Sequence, residues 1–293
     1  MRFSIIVVIS SLVLAFFCAL YTYPDDNLRI IFCDVGQGDS ILIQRAFLQV
    51  IVDGGPKNAL LECLGKYVPV WDKTIEYIVV THPQADHSQG FVELLRRYRV
   101  NNFVANGLAG ETETYREILS LVHSEGSSLY QPIQGQRLKL NSEMEISFLW
   151  PEQKYGNLQD IIINPSKRQK DEESITDLNQ VSLVFTLIYG DFSALFTGDI
   201  GLYEELALEV SGLLRDIDVL KVPHHGSKYS SSLGFLQNTQ PEVSVISSGL
   251  NNSFGHPNSD TLRRLERVES RVMRTDKAGD VIIVSDGKKY WLE

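Results

Sequence analysis

Cysteine is scarce in this chain: three in 293 residues, at Cys18, Cys33 and Cys63, with no CxxC or CxxxC spacing. That argues against a thiolate metal site. Cys33 and Cys63 lie in apolar contexts. Two buried free thiols are the plainer reading, although a disulfide is open to them outside the cytoplasm. Basic charge is also in deficit. Lys and Arg number 27 against 37 Asp and Glu, a formal net charge of −10. A protein that grips long stretches of nucleic acid usually carries a basic face, so any such substrate would be handled locally, by metal ions and a few cationic side chains. Repeats at solenoid period are absent. The composition is that of an ordinary globular protein, which sets disorder and collagen-like classes aside.

What is present begins at the N-terminus. Arg2 precedes an apolar run from Ile5 to about Tyr21, and Tyr23-Pro24-Asp25-Asp26 follows. At roughly 17 residues the run is short for a membrane span and slightly long for a signal-peptide core. Residues 1–24 therefore read as a signal peptide or N-terminal membrane anchor, with the uncleaved anchor favoured. The charge ahead of the run places residues 25–293 outside the cytoplasm, membrane-anchored or secreted.

Short strands bounded by Gly and Asp come first, over 28–35, 40–44 and 48–52, and a buried strand over 75–80 ends at Thr81-His82. Helical periodicity marks 58–67 and 91–98, and a strand, helix and strand follow at 102–105, 112–123 and 144–150. Residues 152–178, which include the charged run from Lys167 to Glu173, read as a solvated excursion. The second half restarts with a hairpin over 181–197 turning at Gly190-Asp191. Helices are expected at 202–214, 230–237 and 259–268, with strands at 219–222, 243–247 and over 272–292. Two successive β-rich halves, each with helices after its strands, predict an α/β fold of two packed sheets with helices outside.

Of six histidines, five (His82, His87, His224, His225 and His256) stand in loops after predicted strands or in a Gly/Pro-bounded turn. Packing alone does not explain that concentration; a shared metal site does. The strongest segment is Thr81-His82-Pro83-Gln84-Ala85-Asp86-His87, which a buried strand delivers into a loop. Imidazole and carboxylate donors suit zinc, iron or manganese.

HxxxDH after a strand resembles the HxHxDH motif of the metallo-β-lactamase superfamily, with Gln84 where the second His usually stands. Asp53 in Asp53-Gly54-Gly55, Asp199 in Thr197-Gly198-Asp199 and His225 in Pro223-His224-His225-Gly226-Ser227 are similar to the family's later motifs, in order. The segments Asp34-Val35-Gly36-Gln37-Gly38-Asp39-Ser40, Asn179-Gln180-Val181-Ser182, Gly255-His256-Pro257 and Arg274-Thr275-Asp276-Lys277-Ala278-Gly279 resemble the C-terminal hydrolase domain of ComEC-type DNA-uptake proteins. Those proteins carry a channel region ahead of this domain; one apolar segment is expected to stand in its place here.

The resemblance implies an αββα sandwich with His82, Asp86, His87, Asp199 and His225 as metal ligands, binding zinc or manganese. One site keeps Asp86, His87, Asp199 and His225. The other retains His82 and Asp199, with Gln84 and the Asn179/Ser182 region as weak substitutes, so one tight and one weak ion are expected. Asp53, Asp86 and His224 are the catalytic candidates, and His224, His256 and Ser227 the substrate contacts. Asp53 would orient a ligand or the attacking water; Gly36 and Gly38 would permit close backbone approach to the cleft; Asp34 and Asp39 are equally readable as site or turn residues. The function implied is phosphodiester hydrolysis, with single-stranded DNA as the substrate. A phosphorylcholine or teichoic-acid-type esterase of the cell envelope and a non-catalytic metal-binding protein are the alternatives.

Overall fold

The computed structural model describes residues 24–110, 112–165 and 177–293, with the single positions Ile9 and Val13. The expected membrane segment and the charged run from Lys167 to Glu173 lie outside the described residues, apart from Ile9, Val13 and Pro24. Among the described residues no helix is long and apolar enough to cross a membrane.

The first half supplies strands β1 (Leu28–Phe32), β2 (Ser40–Arg45), β3 (Leu48–Gly54), β4 (Thr74–Val80), β5 (Arg99–Ala105) and β6 (Ser128–Tyr130). Then come β7 (Arg137–Lys139), β8 (Met144–Trp150), β9 (Val184–Tyr189), β10 (Phe192–Phe196), β11 (Val219–Lys221), β12 (Val243–Ile246) and β13 (Arg271–Arg274). The chain closes with β14 (Val281–Ser285) and β15 (Tyr290–Leu292). One sheet runs β15-β14-β1-β2-β3-β4-β5-β6 and the other β13-β12-β11-β10-β9-β8-β7. The last hairpin thus returns to the first sheet beside β1, pairing Ile30 with Ile283.

Period-two alternation assigns each side chain to a layer. In β1, Leu28, Ile30 and Phe32 enter the core between the sheets, while Ile31 joins the cluster on the outer side. In β3, Val50 and Val52 face inward and Ile51 outward. Helices α1 (Ala59–Tyr67), α2 (Ala85–Ser88), α3 (Gly90–Leu95), α4 (Glu113–Glu125) and α5 (Leu158–Ile163) follow strands of the first half. Leu60, Phe91, Ile118 and Ile161 carry the apolar faces of α1, α3, α4 and α5 onto that outer cluster. On the second sheet, α6 (Leu202–Ser211), α7 (Leu233–Thr239) and α8 (Ser259–Arg267) do the same through Leu208, Phe235 and Leu265. The result is the expected helix–sheet–sheet–helix sandwich.

Several expectations need correction. Cys33 and Cys63 are not free thiols; they form a disulfide with Cα atoms 5.9 Å apart, which ties the end of β1 to α1. The 152–178 stretch is not wholly a solvated loop, because Leu158, Ile161 and Ile162 of α5 are buried. Their apolar spacing is hidden by the polar residues on both sides. Helix α6 stops at Ser211 because Gly212 adopts a left-handed cap with φ 65°. Helix α7 starts at Leu233, where the Ser232 side chain caps it by accepting from the Phe235 N–H. The expected strand over 272–292 is broken by a short helix α9 (Thr275–Ala278).

Candidate metal centre

The ends of β3, β4, β10, β11 and β12 bring their following residues to one rim of the sandwich. Asp53 is buried at the end of β3 with φ 59°. His82 leaves β4, and one turn of α2 carries Asp86 and His87. Asp199 follows β10. His224 and His225 follow β11 with φ 50° and 53°, a left-handed pair that turns the chain sharply. Gly38 makes the closest approach: a Cβ there would lie 2.2 Å from the Asp86 carbonyl oxygen. The backbones meet at that point, where the Asp39 N–H donates to the Asp86 carbonyl at 3.2 Å.

Four side chains converge. The Asp199 Oδ2 lies 3.3 Å from His87 Nε2 and 3.2 Å from His225 Nε2, and His225 Nε2 lies 3.7 Å from Asp86 Oδ2. Donors about 2.0–2.2 Å from a tetrahedral ion stand roughly 3.3–3.6 Å apart, so these separations suit one shared cation. The imidazoles are locked from behind. The Asp53 carboxylate accepts from His87 Nδ1 at 2.7 Å and from the Thr81 N–H and hydroxyl at 2.8 and 2.7 Å. His225 Nδ1 is held by the Ser247 carbonyl at 2.9 Å. Fixing Nδ1 presents Nε2 as the ligand atom. The buried Nε2 atoms of His82, His87 and His225 and the Oδ1 of Asp199 have no hydrogen-bond partner. Orphaned buried donor atoms of this kind are costly without a ligand, and the donor set fits a divalent ion.

Asp39, His87, Asp199 and His225 also offer potential ligand atoms within 4.8 Å of one another. Asp39, however, approaches His87 and His225 on their Nδ1 sides, at 3.7 and 3.6 Å. It stands behind the imidazoles, whereas Asp86 faces an Nε2 and could supply the fourth ligand atom. His82 borders the cluster, its ring 4.2 Å from that of His87. Its Nδ1 meets the Thr81 and Ser182 hydroxyls at 3.0 and 3.3 Å, and Gln84 contacts the same ring.

The electrostatics are those of a nest built for a cation. Burial opposes a charge on His225, yet Asp199 and Asp39 outweigh it and raise its pKa to about 9. His87 is raised in the same way by Asp199 and Asp53. Burial would raise Asp86, but the facing His225 and the nearby His87 imidazolium pull it down to about 2. Burial and the His87 charge push His82 to about 3, while burial and the charges on His225 and His224 push His256 to about 4. Burial also lowers His224.

The expected substrate contacts separate. The His224 ring lies 5.7 Å from that of His256 and 6.4 Å from that of His225, so both stand beside the cluster. Ser227 is buried, and its hydroxyl accepts from the Tyr229 N–H at 3.3 Å within its own turn. Asp34 is an exposed turn residue, accepting from the Gly36 N–H. Sequence reasoning left Asp39 undecided and passed over Lys221. Lys221 is buried, with its Nζ on an Asp39 oxygen, 3.7 Å from Asp199 Oδ1 and 3.2 Å from the Gly198 carbonyl. Burial disfavours its charge, but the two carboxylates outweigh that and hold the ammonium above the ordinary lysine pKa. A lone cation inside the apolar strand Val219-Leu220-Lys221-Val222 was the available signal.

Comparison with known proteins agrees with this fold. A model of the metallo-beta-lactamase superfamily matches residues 33–249. ComE operon protein 3 of Bacillus subtilis is 30% identical over 89% of this chain and 34% of its own length. Competence protein ComA of Neisseria gonorrhoeae is 27% identical over 87% and 32%, so the chain spans about a third of these relatives. Among solved structures, the metallo-beta-lactamase fold protein YhfI of Bacillus subtilis aligns with TM-score 0.56 at 11% identity, over 91% of this chain and all of that one. CmlA, a diiron β-hydroxylase of Streptomyces venezuelae, aligns with TM-score 0.54 at 12% identity, over 92% and 55%. These two likenesses concern the fold alone.

Proposed function

Since the chain belongs to the metallo-beta-lactamase superfamily, we propose that this metal-dependent hydrolase cleaves phosphodiester bonds, with single-stranded DNA as substrate and zinc or manganese as its ion. The observation that carries the reading is the convergence of Asp86, His87, Asp199 and His225 on one point beside three further imidazoles. A relative named for competence supports DNA as the substrate.

When bound, the ion supplies a Lewis acid and brings the pKa of a water towards about 7. The chain's own residues do the rest. Asp53 fixes His87, and Ser247 fixes His225, so the ligands need no rearrangement as charge develops. His224 and His256, held neutral by burial and their neighbours, offer N–H donors to a phosphoryl or leaving-group oxygen. His82, with Gln84 and Ser182 around it, is the weaker anchor for a second ion. We infer that the domain works outside the cytoplasm, membrane-anchored or secreted; the Cys33–Cys63 disulfide suits an oxidising compartment.

The envelope-esterase reading is favoured by one observation, the net charge of −10, which is ill suited to a long polyanion. The test is hydrolysis of bis-p-nitrophenyl phosphate and of single-stranded DNA with Mn²⁺ or Zn²⁺, beside Asp86→Ala. Metal-dependent turnover of both substrates, lost in the variant, is expected. Turnover of the small ester alone would transfer the assignment to an envelope esterase, and stoichiometric metal binding without turnover would leave a binding protein.

A further inference from the structure

Three rings lead outward from the metal centre. The buried ligand His225 is followed by His256, with ring centres 6.5 Å apart and planes inclined by 30°. Phe254 follows His256 at 5.9 Å and 26°. Phe254 is 67% exposed, and its loop neighbour Leu250 is 73% exposed. Exposed apolar side chains usually sit on pliable loops, but this loop is pinned. The Asn252 amide donates to the Gly249 and His256 carbonyls at 2.9 and 2.6 Å, and its oxygen accepts from the Phe254 and His256 N–H groups at 3.2 and 3.0 Å. Gly249 anchors the loop's start against Gln37: its N–H donates to the Gln37 side chain at 3.2 Å, and a Cβ there would meet the Gln37 nitrogen at 2.8 Å. One face of Phe254 is thus backed by an imidazole, the ring is held in place, and it stands at the open end of a ladder that starts at the metal ligands.

We propose that Phe254, backed by His256, is a stacking platform for an unpaired nucleobase flanking the phosphodiester held at the metal centre. The inference rests on the phosphodiesterase reading above and names how that substrate is recognised. Every base has a π-face, so stacking binds single strands without a basic groove and without reading sequence. This accounts for nucleic-acid binding by a chain of net charge −10: contact is confined to the metal centre and a ring beside it. A base-paired duplex keeps its bases inside its own stack and leaves the platform unfilled.

Binding of an oligothymidylate and of an abasic (tetrahydrofuran) strand of equal length, both phosphorothioate-linked to resist rapid turnover, is measured by fluorescence anisotropy with Mn²⁺ present. The full chain, Phe254→Ala and Phe254→Trp are compared. The wild type is expected to prefer the base-bearing strand. Phe254→Ala should weaken that strand by roughly 5- to 150-fold with the abasic strand unchanged, and Phe254→Trp should retain the preference. Equal binding of the two strands by the wild type, equal losses on both in Phe254→Ala, or displacement by phosphocholine in place of thymidine monophosphate would each overturn the platform. Cleavage of ordinary phosphodiester oligonucleotides is followed in parallel. Base-dependent binding without cleavage overturns the hydrolytic reading alone, and cleavage without base dependence overturns the platform alone.

Discussion

Replacing Lys221 by methionine keeps the unbranched stem and removes the ammonium from a fully buried position. In the native chain that ammonium rests on an Asp39 oxygen, 3.2 Å from the Gly198 carbonyl and 3.7 Å from Asp199 Oδ1. Its loss leaves the Asp39 carboxylate, itself 1% exposed, without its cation. Breaking a buried pair by removing one partner costs about 3–5 kcal/mol, whereas replacing both partners by apolar groups is often close to neutral. Lys221→Met should therefore lose about 3–5 kcal/mol in chelator, and Lys221→Met with Asp39→Leu should regain at least half of it. Urea denaturation followed by circular dichroism reads both. With a slope of about 3 kcal/mol per molar urea, the single variant's midpoint should fall by roughly 1–1.7 M. A single-variant loss below about 1 kcal/mol, or a double variant no better than the sum of the two singles, would refute the claim that this pair holds the floor of the metal centre.

Removing the carboxylate that holds His87, by Asp53→Ala, should weaken the tight metal ion by about 10- to 100-fold; competition with a chromophoric chelator reads the change. His225 carries a proton up to about pH 9 when no ion is bound, and a divalent ion must displace it. Apparent metal affinity should accordingly tighten by about tenfold per pH unit for each displaced proton up to that pH, and a flat calorimetric profile between pH 6 and 9 would contradict the assignment. At metal concentrations about 100 times Kd, unfolding should require about 2.7 kcal/mol more than in chelator, seen as a rise in Tm. Burial pushes Glu205, which accepts from the Ser231 and Ser232 N–H groups, up to about 7. Its folded pKa exceeds its unfolded one, so stability is full below about pH 4.5 and falls as the pH rises to 7, by roughly 3 kcal/mol. Glu205→Gln should flatten that part of the stability profile. Reducing Cys33–Cys63, which are 30 residues apart, should cost about 3–4 kcal/mol on the loop-entropy relation, read by denaturation with and without reductant.

Much of this protein was legible in one dimension. Strand alternation and Gly/Asp punctuation are local, so β1 to β4 and the β9–β10 hairpin follow from periods of two and from turn chemistry. The segment from Thr81 to His87 carries its own context, a buried strand and then a helix, and its candidate ligands could be named from donor chemistry together with the family resemblance. What lay beyond reach depends on residues far apart in the chain. The place of Asp39 behind His87 and His225 is decided by a backbone contact between residues 39 and 86. The pairing of Cys33 with Cys63 follows from the packing of α1 on the first sheet, and the burial of α5 from the apolar face that this sheet exposes. Net charge is a sum and has no position, so it could not reveal that one lysine lies beneath the metal ligands. The residue types set the chemistry available to the site; only the closure of the two sheets against each other decided which of them meet.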